Sequence, residues 1–287
     1  CLTRAVSTLV QKADVPEASG KQNITLYSGV FDYSCDDRIF GTAINDIRPQ
    51  GITRSPVNFV SKLDQEQFDR TKGLVYPSGT RSAFEYVNGS PIIRIVAPFP
   101  KQQAIIDPMT AITGWTAAGS ASALAQDTTV FYQSPASMRF TLTGSSTGTL
   151  TKTLTSSLDL STYQNAGVAF LAIQIPTGAT ATNLTSIEVK LGSDSSNYTS
   201  VTSTAGFLGA WVAREWLLVS YDYSAGTDTA SPDWSAIAYV QVSLAHTATL
   251  TNFRVGGLWI SYPTPAQILY QSAAIFLASG ASDTTTT

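Results

Sequence analysis

From Asp107 to Pro263 the chain repeats one pattern: apolar residues at every second position in short runs. Nothing else in the sequence limits the fold as strongly. Met138, Phe140 and Leu142 alternate with Ser137, Arg139 and Thr141. Ile187, Val189 and Leu191 alternate with Glu188 and Lys190. Successive side chains of a strand point to opposite faces, so each run reads as a strand with one face on a core and one in water. The stretch AGVAFLAIQIP is apolar at both parities, as a strand covered on both faces must be. The stretches EWLLVSYDYS, AIAYVQVSLAH and TNFRVGGLWIS complete the set, with Gly, Ser, Asn and Asp between them. About eight strands over roughly 150 residues fit a two-sheet antiparallel β-sandwich or jelly roll. Between two of these strands, LGSDSSNYTS reads as a turn, with Asp194 and Asn197 serving the turn and Tyr198 opening the next strand.

Charge density divides the 287 residues. Residues 1–107 carry 12 Lys+Arg and 11 Asp+Glu of the chain's 17 and 20, leaving 5 and 9 for the rest. The expected organisation is a small mixed α+β docking domain over 1–107, the sandwich over 108–263, and a helix with a flexible tail over 264–287 that continues into a further carboxy-terminal part. Within the first domain, 2–13 and 61–72 have helical spacing. NITLYSGVFDYSC reads as strands broken at Gly29, and DIRPQGITRSP as a loop or edge segment because proline donates nothing to a ladder. In FEYVNGSPIIRIV, Asn88-Gly89 supplies the two positive-φ residues of a hairpin turn. At the other end, Thr264, Pro265 and Gln267 match a helix start, and Gly280 a stop.

The inventory for catalysis is short. A net charge of −3 offers no basic face for nucleic acid, and no apolar run reaches the roughly 20 residues of a membrane span. Cys1 and Cys35 read as free thiols, and Asp36 and Asp37 beside Cys35 oppose a thiolate. His246 is the single histidine, placed at a strand end on the surface. The acids of the sandwich lie in turns or, like Glu188, on an exposed sheet face. No catalytic residue, metal ligand set or cofactor is assigned. A structural calcium held by backbone carbonyls and one Asp is compatible with the sequence but has no assignable ligands.

Aromatic residues are the remaining handle, because the apolar face of a sugar ring packs on an aromatic ring. Trp216 and Trp259, inside strand patterns, read as core. Trp211, in the Gly-containing GFLGAWVARE, together with Tyr198, Tyr221 and Tyr223, are the candidate carbohydrate contacts.

The order GWTAAGSASAL, SPASMRFTLTG, LDLSTYQNAGVAFLAIQIP, NLTSIEVKLGSDSSNYTS, REWLLVSYDYS and NFRVGGLWI resembles the jelly-roll modules of carbohydrate-binding and concanavalin-like proteins over about 108–262. Those modules often carry an acid in the last strand near a calcium, where this chain has Gly256 and Gly257. Joined to a part containing FDYSCDDRIFGTAINDIRPQG and QFDRTKG, the whole is similar to virion structural proteins of tailed bacteriophages, of neck, tail or fibre type. That resemblance implies a non-enzymatic virion protein, homo-oligomeric, docked on other virion proteins, with the sandwich outward against host glycans. The alternative is a secreted or cell-surface carbohydrate-binding protein.

Overall fold

A computed structural model describes residues 19–35, 44–49, 57–59, 80–87, 90–96, 103–132, 135–176, 178–213 and 215–271. Their regular structure is β throughout, apart from three single-turn 3-10 segments. The strands run β1 (Ser19–Leu26), β2 (Asp32–Ser34), β3 (Ile44–Pro49), β4 (Val57–Phe59), β5 (Thr80–Val87) and β6 (Ser90–Val96). Then come β7 (Gln103–Asp107), β8 (Trp115–Gly119), β9 (Ala121–Asp127), β10 (Ser137–Leu142), β11 (Ser146–Leu158), β12 (Val168–Gln174) and β13 (Leu184–Gly192). They end with β14 (Tyr198–Ser203), β15 (Trp216–Asp222), β16 (Thr227–Thr229), β17 (Ile237–His246), β18 (Leu250–Ser261) and β19 (Thr264–Gln271). Two compact units result, Cys1–Lys101 with Thr264–Thr287, and Gln102–Pro263.

The first unit holds a three-stranded sheet, β1-β19-β3, and a four-stranded sheet, β2-β6-β5-β4. Gly29 has φ 83° where the chain turns between β1 and β2. The Tyr33 hydroxyl closes that turn: it accepts from Tyr27 N at 2.9 Å and lies 3.1 Å from the Val30 carbonyl, to which it donates. Val87 pairs with Ser90, so β5 and β6 form the expected hairpin, although Asn88 and Gly89 lie outside the described residues. Cys35 is buried. The expected helices at 2–13 and 61–72 also lie outside the described residues, and the described part of this unit is strand rather than mixed α+β.

The expected helix beginning at Thr264 is corrected: residues 264–271 form β19. Thr264 to Gln271 pair antiparallel with Leu26 to Ser19, and β3 joins the other edge. Ala266 and Ile268 are buried while Gln267 faces out to donate to Asn23 Oδ1 at 3.1 Å. Period-two burial between two strands overrides the local cap signal.

The second unit is the sandwich. Its front sheet runs β16-β14-β13-β17-β11-β8. Its back sheet runs β15-β12-β18-β10-β9, with β7 also paired to β18. All pairings within both sheets are antiparallel. Met138, Phe140, Leu171 and Val219 from the back meet Leu150, Val189, Val240 and Leu244 from the front in one core. Each such side chain contributes roughly 1.5–3 kcal/mol when fully buried.

No helix among the described residues is long and apolar enough to cross a membrane.

Candidate functional site

The inward parity of the front sheet is fixed by its core residues, so its outward rows follow from the register. One row crosses five strands as Thr229, Tyr198, Gly192, Tyr239 and Thr153. The next runs Thr227, Ser200, Lys190, Gln241, Thr151 and Thr116. A third sets Thr202, Glu188, Ser243 and Thr149 side by side. The result is a face of hydroxyl, amide and charged groups that holds two aromatic rings.

Gly192 leaves the gap between those rings. A Cβ there would lie 2.2 Å from the Asn197 carbonyl oxygen and 2.7 Å from Tyr198 Cβ, so no side chain fits. The Tyr198 and Tyr239 rings face each other across the gap with centroids 6.5 Å apart and planes tilted by 37°. Lys190 Nζ sits 4.5 Å from the Tyr198 ring centroid, donates to its hydroxyl at 3.4 Å and lies 3.6 Å from Glu188 Oε2. Hydrogen bonding to Thr229 and then to Lys190 holds the Tyr198 phenol below its ordinary pKa. Burial pulls the Lys190 ammonium down, but Glu188 and the Tyr198 side chain outweigh it and the net shift is upward. Burial raises Tyr239. Gln241 Nε2 donates to Thr151 Oγ1 at 3.3 Å.

Local turns hold this face in place. Asp194 Oδ1 accepts from Ser196 N at 2.7 Å and Asn197 N at 3.0 Å, and the Ser196 hydrogen bond leads in holding its carboxyl below the usual range. LGSDSSNYTS is therefore the expected turn, its acid consumed by its own backbone. Beneath it, Trp234 Nε1 donates to Thr199 Oγ1 at 3.1 Å, and Thr199 donates on to Asp228 Oδ1 at 2.6 Å, fixing β14 to β16.

Of the four expected contact residues, only Tyr198 lies on this face. Tyr221 and Tyr223 are corrected to core residues: both are buried, and burial pushes both phenols well above their ordinary values. Tyr223 packs edge-on to Trp234 and donates to the Val189 carbonyl at 3.2 Å, supporting β13 from below. Tyr221 Oη is buried and has no hydrogen-bond partner among the described residues. Trp211 is half-buried against the core, with Nε1 enclosed and without a partner among the described residues, so its ring is no open platform. Tyr239 was missed, although its parity with Gln241 and Ser243 in AIAYVQVSLAH places it outward; it is 9% exposed and, unlike Tyr221 and Tyr223, lies outside the core cluster.

His246 is buried rather than superficial. The Ala248 carbonyl, 2.9 Å from Nδ1, is an acceptor only and so places the proton on Nδ1. Nε2 then accepts from Ser120 Oγ at 2.6 Å. Gly144-Ser145-Ser146-Thr147-Gly148 has the spacing of a nucleophile elbow, but it runs into β11 rather than a helix. Among the described residues, no group of three or more His, Cys, Asp or Glu is placed to hold a metal ion.

The back sheet's outer face differs. Trp259 and Phe170 are buried there and stack with centroids 5.9 Å apart, while Tyr132 stacks on Trp259 at 6.2 Å and Phe207 meets Phe170 edge-on. Trp216 lies 5.8 Å from Tyr132 over Gly256, where a Cβ would meet its ring at 2.9 Å.

No protein-family model matches the chain, and no curated protein does. Solved structures similar to it include a family 11 carbohydrate-binding module from Clostridium thermocellum, bound to a β-1,3-1,4-mixed-linked tetrasaccharide. It is 11% identical, with 55% of this chain and 94% of that one covered and a TM-score of 0.39. A family 30 carbohydrate-binding module of a cellulosomal cellulase of the same organism is 15% identical over 57% and 96%, with a TM-score of 0.38. A structure on carbohydrate-binding modules of the β-sandwich superfamily is 12% identical over 84% and 98%, with a TM-score of 0.40. At these scores the likeness carries no weight of its own, and the sandwich assignment stands on the two sheets and their shared core.

Proposed function

We propose that the front face binds carbohydrate without catalysing a reaction. The observation that supports this reading is the outward row in which Tyr198 and Tyr239 flank the gap at Gly192, bordered by Lys190, Glu188, Gln241 and a line of threonines. Aromatic rings take the apolar face of a sugar, and the hydroxyl, amide and charged neighbours take its hydroxyls. The setting that suits such a module is extracellular or on a cell surface, the alternative expected from the sequence. The virion role, the virion partners and the homo-oligomer expected first are supported neither by the described sheets nor by the structures compared.

Binding to soluble plant and bacterial polysaccharides, read by affinity electrophoresis and a glycan array, is the test. Tyr239→Ala is expected to weaken retention at least tenfold with the far-UV spectrum unchanged. A wild-type chain that no polysaccharide retards, or a Tyr239→Ala variant retarded as strongly as wild type, would sink the proposal.

A further inference from the structure

The sandwich carries its few cations sparingly. Four of them are described, and three stand within ion-pair distance of a carboxylate: Lys152 on Asp107 at 2.7 Å, Lys190 on Glu188 at 3.6 Å and Arg254 on Asp127 at 2.9 Å. Arg139 has no such partner among the described residues. It is only half-buried, and the register sets it directly opposite Arg254 on the outer face of the back sheet. Its neighbours Met138 and Phe140 point into the core, as do Phe253 and Val255 beside Arg254, so both guanidinium groups leave the same side of the sheet.

Like charges directly opposite across two strands destabilise a sheet, and here Asp127 relieves only one of them. Its Oδ1 accepts from Thr129 N at 2.9 Å, Thr129 Oγ1 at 2.7 Å and Val130 N at 3.1 Å, and its Oδ2 from Arg254 Nε. Arg254 is oriented further by Gln174 Oε1 and the Asn252 carbonyl, both on Nη1, so its Nη2 donors have no partner among the described residues. Arg254 is thus held in place with one end unspent, beside a second arginine, and neither free donor set has a partner among the described residues.

The same row ends in an aromatic ring. Trp216 pairs with Gln174, Gln174 with Arg254 and Arg254 with Arg139, so the outward sequence across β15, β12, β18 and β10 is Trp216, Gln174, Arg254, Arg139. Adjacent strands lie about 4.8 Å apart. A sugar ring seated on the half-buried Trp216 therefore lies within reach of the arginines through a group on its edge. Two guanidinium donors recognise a planar carboxylate better than any neutral group.

We propose that this row is a second binding site, separate from the tyrosine face, for the carboxylate of an acidic sugar. The ring stacks on Trp216 and the carboxylate is taken by Arg254 Nη2 and Arg139. The proposal does not depend on carbohydrate binding at the front face.

The full chain, labelled for NMR, is titrated with a uronic-acid tetrasaccharide, with the same tetrasaccharide carboxyl-reduced to the neutral sugar, and with inorganic sulfate. The acidic sugar is expected to shift the Trp216 indole and the Arg139 and Arg254 guanidinium resonances, and to bind at least tenfold more tightly than either control. The Arg139 side chain makes no hydrogen bond or ion pair among the described residues, so Arg139→Gln is expected to fold normally and to lose at least tenfold in affinity for the acidic sugar, while Tyr198→Ala leaves that affinity unchanged. Equal binding of the acidic and neutral sugars overturns the proposal, as do sulfate binding as tight as the sugar, shifts confined to Tyr198 and Tyr239, or an Arg139→Gln variant with wild-type affinity.

Discussion

The outer faces of the two sheets have the same alternation to work with and treat it in opposite ways. On the front sheet the outward positions are Thr, Ser, Gln, Lys and Glu around two tyrosines, and most of them keep contact with water. On the back sheet the outward positions include Phe170 and Trp259, both buried, with Tyr132 and Phe207 from the connecting loops packed onto them. β12 is consequently buried on both sides along nearly its whole length. A substitution at Phe170 or Trp259 is therefore a packing change, whereas one on the front face mainly changes what the surface can hold.

The largest test of that contrast is Phe170→Ala. It opens a hole beneath Trp259 and Phe207, and is expected to cost about 3–5 kcal/mol in a urea melt. Tyr198→Ala on the front is expected to stay within about 1 kcal/mol by the same measurement. Comparable losses for the two variants would break the distinction.

Asp127→Asn probes the polar margin of the back sheet. The Thr129 hydroxyl leads in holding the Asp127 carboxyl well below its ordinary 3.8, with the Thr129 and Val130 amides and Arg254 adding to it against the cost of burial. A depressed folded value stabilises the fold above the unfolded pKa, and that stability is lost as pH falls through the folded value. The urea midpoint of the Asn variant is expected to lie below wild type at pH 7 and to converge on it in strong acid. A gap that stays constant down to strong acid would refute this account of Asp127.

The smallest effect is a gain. Tyr221 holds a buried hydroxyl without a partner among the described residues, so Tyr221→Phe is expected to raise stability by about 1 kcal/mol, seen as a higher thermal midpoint. A loss instead would mean that the hydroxyl is satisfied in solution.

The contrast between faces also explains what the sequence disclosed. Clean alternation in Thr185–Leu191 and Ser137–Leu142 marks strands whose outward side is polar, and those elements were legible. In EWLLVSYDYS the outward side is partly covered, so Trp216, Leu217, Leu218 and Val219 are apolar at both parities and Tyr221 gave no sign of which way it points. Tyr198 was found because it opens a strand of Ser and Thr. Tyr239 follows the same logic but stands among valines. The strand at 264–271 was unreadable for another reason. Its partner β1 lies more than 240 positions earlier, as the Asn23–Gln267 hydrogen bond records, so only the misleading local cap was visible. The Arg139–Arg254 pairing is likewise a matter of register across 115 residues of chain, with no local signature.

Gln103 lies opposite Ser261, so the chain enters and leaves the sandwich on neighbouring strands, while β1 and β19, which come before and after it, pair with each other. The sandwich is thus a cassette whose two ends meet at adjacent positions of one ladder. Loop-closure entropy grows only slowly with length, so the host sheet gives up little by carrying so long an insert. The same adjacency lets the cassette be cut out and joined into another exposed loop with its own ladder as the clasp.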